Sequence, residues 1–274
     1  MSLDVNLSEP DEFNCQELHT SISEIAKLKG VENYEYHVDF VCGKGEHFIA
    51  NVFRTKLIDS DNVDNTFTVI VKTLINTERK ELFHELHKRE VTVYKDVIPK
   101  YVKFQEVMKV EDRVLFPECL HSVVEKSKEV IILEDMKEKQ YYTDNTLQNQ
   151  QNLDYTQASL VLKELAKLHS LSIIYEKHEP ETFAKLKTEF RDIIFEKSFL
   201  NKTKLRHYFY ESFGTSLDLV ENFEARSKLE RIGTKLLEIL RLFTEPRELS
   251  TCGVLCHGDF WLNNIMFKHE VRNT

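Results

Sequence analysis

Two periods of apolar residues alternate along this 274-residue chain. The stretch "CQELHTSISEIAKLKG" (15–30) spaces its apolar residues as a helix does and closes on Gly, the residue a helix C-terminus prefers. "YEYHVDFVC", "HFIANVFRTKL" and "FTVIVKTL" then switch to the β-rich, alternating pattern of strands. "GKGE" and "DSDNVDN" separate them, so three strands in meander order are predicted. Helical spacing returns in "NTERKELFHELHKREVTVYKDVIPKY", opened by the cap signal of Asn76 and Thr77 with Glu78 after it. "EVIILEDM" is short, apolar and β-branched, which predicts one more strand. From about 150 the pattern is almost wholly helical. "DYTQASLVLKELAKLHSLSIIYEK" is an amphipathic helix, and 181–245 continues in the same period with few breakers. The last segment returns to two short apolar runs, "GVLC" and "NIMF", around a polar cluster, and a strand is expected after that cluster. The chain therefore divides into a small mixed lobe, residues 1–136, and a mainly helical lobe, residues 137–274. A cleft between such lobes is the default place for a small-molecule site.

Composition narrows the classes of function. A formal charge of −9 argues against a protein that lives on nucleic-acid backbone or on anionic membrane. No run approaches the roughly 18 apolar residues that span a bilayer, and the acidic start lacks the apolar core of a secretory signal. Five scattered cysteines, Cys15, Cys42, Cys119, Cys252 and Cys256, read as reduced thiols in the cytosol. Cys252 and Cys256 precede His257 but have no second ligand pair at zinc-site spacing.

The chemistry concentrates in "LCHGDFWLNNIMF" (255–267). Asp259 and Asn264 stand in the D-x-x-x-x-N spacing with which one short kinase loop supplies a hydroxyl-orienting carboxylate and a magnesium ligand. An Asx-rich turn explains the same residues more plainly. Lys72 interrupts the apolar run "TVIVKTL", either as an edge-strand guard against aggregation or as a lysine that grips nucleotide phosphates. The second role needs a carboxylate from the next helix. Glu90 lies on the stripe of Phe83, Leu86, Tyr94 and Val97, where an unpaired carboxylate is costly; it pairs with Lys72 or reaches water from the border of the stripe. Gly43, Lys44 and Gly45, in "CGKGEH", suit either a phosphate-covering loop or a plain hairpin turn. Glu134, Asp135 and Met136 end a strand, as an adenine-binding linker or as an acidic surface turn. "HELH" (84–87) lacks zinc-protease spacing, so His84 and His87 are expected to be ordinary helix-face residues. His169 and Ser170 lack a nucleophile-elbow context, and a buried, hydrogen-bonded His169 is expected.

Taken in order, strand Lys, helix Glu, "LEDM" and "HGDFWLNN" resemble the kinase-like phosphotransferases, in the branch of aminoglycoside and choline kinases. "GKGEHFIANVFR", "FTVIVKTL", "REVTVYKDVIPKY", "VIILEDM", "LAKLHSLS" and "VLCHGDFWLNNIMF" together resemble the ecdysteroid kinase-like family of insects, from about residue 30 to 268. The resemblance implies an α+β, protein kinase-like two-lobe fold, with a small antiparallel sheet in the N-lobe and a mainly helical, incomplete C-lobe. It implies a cytoplasmic, monomeric kinase that uses ATP and Mg2+ on a hydroxyl of a steroid, phenolic or xenobiotic small molecule. Lys72 would bind the α- and β-phosphates and Glu90 would hold Lys72. Asp259 would orient the hydroxyl, Asn264 would bind magnesium, and Met136 with Glu134 and Asp135 would meet adenine by backbone. Such kinases carry a second, magnesium-binding Asp after the loop and then further helices. Here "FKHEVRNT" follows, with no Asp after Asp259, so a C-terminally truncated member is expected. An impaired pseudokinase, or a truncated binder of nucleotide or apolar alcohol, is the alternative.

Overall fold

The computed structural model describes residues 15–41, 50–74, 80–143, 153–203, 205–244 and 253–268. Helix α1 (Cys15–Leu28) is followed by strands β1 (Tyr34–Phe40), β2 (Ala50–Asp59) and β3 (Thr66–Leu74). Helix α2 (Lys80–Thr92) runs through a π-turn (Val93–Val97) into α3 (Ile98–Phe104). Strands β4 (Cys119–Val123) and β5 (Val130–Glu134) then complete one antiparallel five-stranded sheet of order β1-β2-β3-β5-β4. The architecture is α+β, with the antiparallel sheet N-terminal and most helices after it.

Local chemistry accounts for several boundaries. Helix α1 stops at Gly30, whose φ of +71° lets its N–H reach Lys27 O and the Val31 N–H reach Ala26 O, a Schellman closure. The turn between β2 and β3 is built on the Asp59 carboxylate, which accepts from the N–H groups of Asp61 and Asn62 and from the Asn65 amide. Pro99 lacks an N–H and its ring would press on the carbonyl four residues back. The helix meets this with the π-turn, closed by Ile98 N–H donating to Val93 O.

The sheet has a helix on each face. On one, Leu18, Ile22, Ile25 and Ala26 of α1 pack on Val38, Phe53, Leu57, Val69, Val71, Val130 and Ile132. On the other, Val91 packs with Ile131 and Leu133, joined by Ile70, Tyr94 and Cys119. Strand β4 was not foreseen from the sequence: "CLHSV" is short, half polar and irregular in register between Cys119 and His121.

By packing the chain forms two compact units, Met1–His178 with Val254–Thr274, and Glu179–Gly253. The first includes α4 (Tyr155–His178), opened by a reciprocal cap in which Gln157 N–H donates to Asp154 Oδ1 and Asp154 N–H to Gln157 Oε1. The second holds α5 (Pro180–Glu189), α6 (Lys197–Thr203), α7 (Leu205–Asp218), α8 (Phe223–Gly233) and α9 (Leu236–Thr244). There α7 and α8 approach closely at Gly233, where a Cβ would lie 2.6 Å from the Phe213 ring. No helix among the described residues is long and apolar enough to cross a membrane.

Candidate functional site

Lys72 lies on β3, the central strand, with Val52 of β2 and Ile131 of β5 as its partners across the sheet. A residue flanked on both sides guards no edge, so that explanation is removed. Its ammonium instead forms an ion pair with Glu90 of α2. Both side chains keep access to solvent, 27% for Lys72 and 35% for Glu90, so the pair can still receive a ligand. Beside it, burial first, then the Glu90 carboxylate and the Cys119 thiol, push the Tyr94 phenol well above its ordinary value.

What holds α2 in place was missed in the sequence. His84 and His87 are not ordinary face residues; both are buried. His84 Nδ1 pairs with Glu129 Oε1 at 2.8 Å, and His87 Nε2 with Val123 O at 2.8 Å, so both point toward the β4–β5 hairpin. Burial is the main cause that lowers the proton affinity of His87, against the Val123 carbonyl and the charges of Glu90 and Glu129.

The polar cluster near the C-terminal end is closed by its own residues. Gly258 takes φ +81°, the left-handed region where a side chain would be strained. Asp259 N–H donates to His257 Nδ1 at 3.3 Å. The Asn264 amide donates both to Asp259 O at 2.8 Å and to Asp259 Oδ2 at 3.0 Å. The spacing of five thus brings Asn264 back onto Asp259 across the short 3-10 turn Leu262–Asn264. The strand expected after the cluster is reduced to one bridge, in which Tyr142 and Phe267 exchange N–H···O bonds of 2.9 and 2.8 Å. Upstream, "GVLC" pairs with no strand among the described residues. The Leu255 N–H goes to Ser172 Oγ of α4 at 3.0 Å, and that hydroxyl also bonds the Tyr101 OH at 2.6 Å.

His169 is half-buried and makes no side-chain hydrogen bond among the described residues, against the expectation of a buried, bonded histidine. The residue that matters in "LHSLS" is Ser172. A fully buried Ser on the stripe of Leu171 and Tyr175 was the available signal.

At the linker the acidic pair splits. Asp135 is buried, and its carboxylate takes Arg54 Nε at 2.5 Å, Arg54 Nη2 at 3.3 Å and the Lys137 N–H at 3.0 Å. Burial alone would raise its proton affinity; the Arg54 and Lys137 bonds and the Arg54 charge outweigh that and hold the carboxyl below the usual range. Thr68 of β3 adds a bond to Glu138 at 2.6 Å. The Asp135 side chain is therefore not a surface turn residue. Asp135 O accepts from Glu138 N–H, and Met136 O accepts from both Gln140 N–H and Tyr141 N–H. Glu134 pairs with Lys139 at 2.8 Å.

Lys72 with Glu90, and Asp259 with Asn264, are thus two preformed pairs within one compact unit. No side-chain bond links one pair to the other among the described residues. Gly43, Lys44 and Gly45 lie outside the described residues. With its amide nitrogen committed to Asp259, Asn264 keeps Oδ1 as a neutral oxygen donor beside a carboxylate. That set fits a magnesium ion that draws most of its six oxygens from phosphates and water. It does not make an all-protein cage: among the described residues no three His, Cys, Asp or Glu side chains converge.

The family model described as the ecdysteroid kinase-like family matches residues 44–274, well over half of the chain. No curated protein and no solved structure matches it.

Proposed function

The chain belongs to the ecdysteroid kinase-like family, and from that premise we propose that it transfers the γ-phosphoryl group of ATP to a hydroxyl of an ecdysteroid or of another steroid, phenolic or xenobiotic conjugate. The observation that carries this reading is the Lys72–Glu90 pair on the central strand. A cation fixed there by a carboxylate suits the α- and β-phosphates of a nucleotide, and phosphoryl transfer is mostly positioning and charge stabilisation. Asp259 orients the acceptor hydroxyl and takes its proton, and Asn264 keeps Asp259 in place. Magnesium, when bound with the nucleotide at Asn264, supplies charge neutralisation on the phosphates. Met136 and its neighbours meet adenine through backbone groups, with the Arg54–Asp135 pair fixing the linker on β2. Phe260 and Trp261, exposed next to Asp259, offer aromatic surface to an apolar alcohol.

The metal donors favour a second reading, a binder of nucleotide or apolar alcohol impaired in transfer. Among the described residues no three His, Cys, Asp or Glu side chains converge, so the chain's own groups offer little charge to neutralise a transferring phosphoryl group. Radiolabelled ATP with ecdysone, and separately with a phenol, distinguishes the two. Transfer by the 274-residue chain that Asp259→Asn abolishes supports the kinase. ATP binding without transfer to either acceptor supports the binder.

A further inference from the structure

Among the described residues no strand flanks the loop that carries Asp259, yet its backbone is held. Leu255 N–H, four residues before Asp259, donates to the hydroxyl of Ser172 at 3.0 Å. Ser172 is fully buried, in the middle of α4. A mid-helix Ser usually bonds back to a carbonyl of its own helix. Ser170, two residues earlier and exposed, does so, donating to Lys167 O at 2.7 Å. Ser172 instead serves two other segments, the 255 backbone and the Tyr101 phenol of α3 at 2.6 Å.

Tyr101 continues the chain of contacts. It is buried, edge-on to Tyr175 of α4 at 6.3 Å and near Phe116 at 6.2 Å, so its ring cannot swing without disturbing that packing. It also belongs to the same unbroken helical run, α2 through the π-turn to α3, that presents Glu90 to Lys72. One rod therefore touches the phosphate-side pair at Glu90 and, through Ser172, the loop of Asp259.

We infer that Ser172, braced by Tyr101, is a positioning residue that sets the Asp259 loop relative to the Lys72–Glu90 pair. This rests on the kinase reading above for its catalytic consequence, but not for its structural one. Ser172 touches no reacting atom. Its hydroxyl fixes where the backbone enters the Gly258 turn, and misplacement of a reacting group by about 1 Å costs on the order of a hundredfold in rate.

The test uses the full chain with Ser172→Ala, Ser172→Thr and Tyr101→Phe. Amide exchange at Leu255 is read without substrate, and kcat and KM for ATP are read with radiolabelled ATP and ecdysone. Ser172→Ala should speed Leu255 exchange at least about tenfold and lower kcat about a hundredfold, with KM for ATP within about twofold. Ser172→Thr, which keeps the hydroxyl, should restore both to within about threefold, and Tyr101→Phe should fall between. Unchanged Leu255 exchange in Ser172→Ala overturns the inference. So does a kcat loss that Ser172→Thr does not recover. A wild-type chain that transfers no phosphate refutes the kinase reading alone, and the exchange comparison then decides the joint by itself.

Discussion

The Arg54–Asp135 pair makes a quantitative prediction because its partners are buried unequally: the Asp135 side chain is 3% exposed, the Arg54 side chain 24%. Arg54→Met strands a carboxylate almost out of reach of water, with the Lys137 N–H as its remaining hydrogen bond of those described above. Breaking a buried pair in this way costs about 3–5 kcal/mol. Asp135→Asn keeps an oxygen for Lys137 and leaves a guanidinium that water can still approach, so the loss is nearer about 1–3 kcal/mol, that of a charged hydrogen bond. The double variant should be milder than the sum. Amide exchange across 130–143 and urea unfolding followed by circular dichroism measure both. The pH dependence adds a second check. The folded carboxyl lies below its ordinary value, so its contribution is present above that value and is lost as pH falls through the folded one. Without Arg54, burial pushes the carboxyl up and lets it protonate earlier, which relieves the strain. The gap between wild type and Arg54→Met should therefore narrow from neutral pH to about pH 4. The reasoning is wrong if Asp135→Asn proves as damaging as Arg54→Met, or if the gap stays constant on acidification.

His87 is held below its ordinary proton affinity, so stability should fall as pH drops through about 6.5 toward the lower folded value, where the unfolded chain binds more protons. His87→Gln, which keeps a donor for Val123 O, should flatten that slope in thermal melts. Gly258→Ala meets no atom within 4 Å, so its penalty is backbone strain alone, about 1–2 kcal/mol. Faster amide exchange at 257–264, with a thermal midpoint lowered by a few degrees, is the expected result.

Local pattern was sufficient for the strands up to β3 and for the long helices, because each buries one face with its own period. For Glu90 it left two choices, a pair with Lys72 or water at the border of the stripe, and the structure makes the pair. What the sequence hid depends on distant residues. Whether Lys72 sat on an edge turned on β5, which adds beside β3 some sixty positions later. Asp135 took its role from Arg54, 81 positions upstream, and Leu255 from Ser172, 83 positions upstream. No periodicity carries such pairings. The "NIMF" run misled because an apolar β-like run predicts a ladder, whereas here a single bridge satisfies the backbone.

The π-turn at Val93–Val97 has a geometric consequence for the rod it interrupts. Eleven residues separate Glu90 from Tyr101, and at about 100° per residue an uninterrupted α-helix would aim both within about 20° of each other. Both would then face the sheet. The wider turn absorbs one extra residue and resets the azimuth of everything after it by about 100°. Glu90 meets β3 while Tyr101 meets α4. The helix behaves as a keyed shaft, cut once so that its two ends engage different parts, with Pro99 keeping the cut in register.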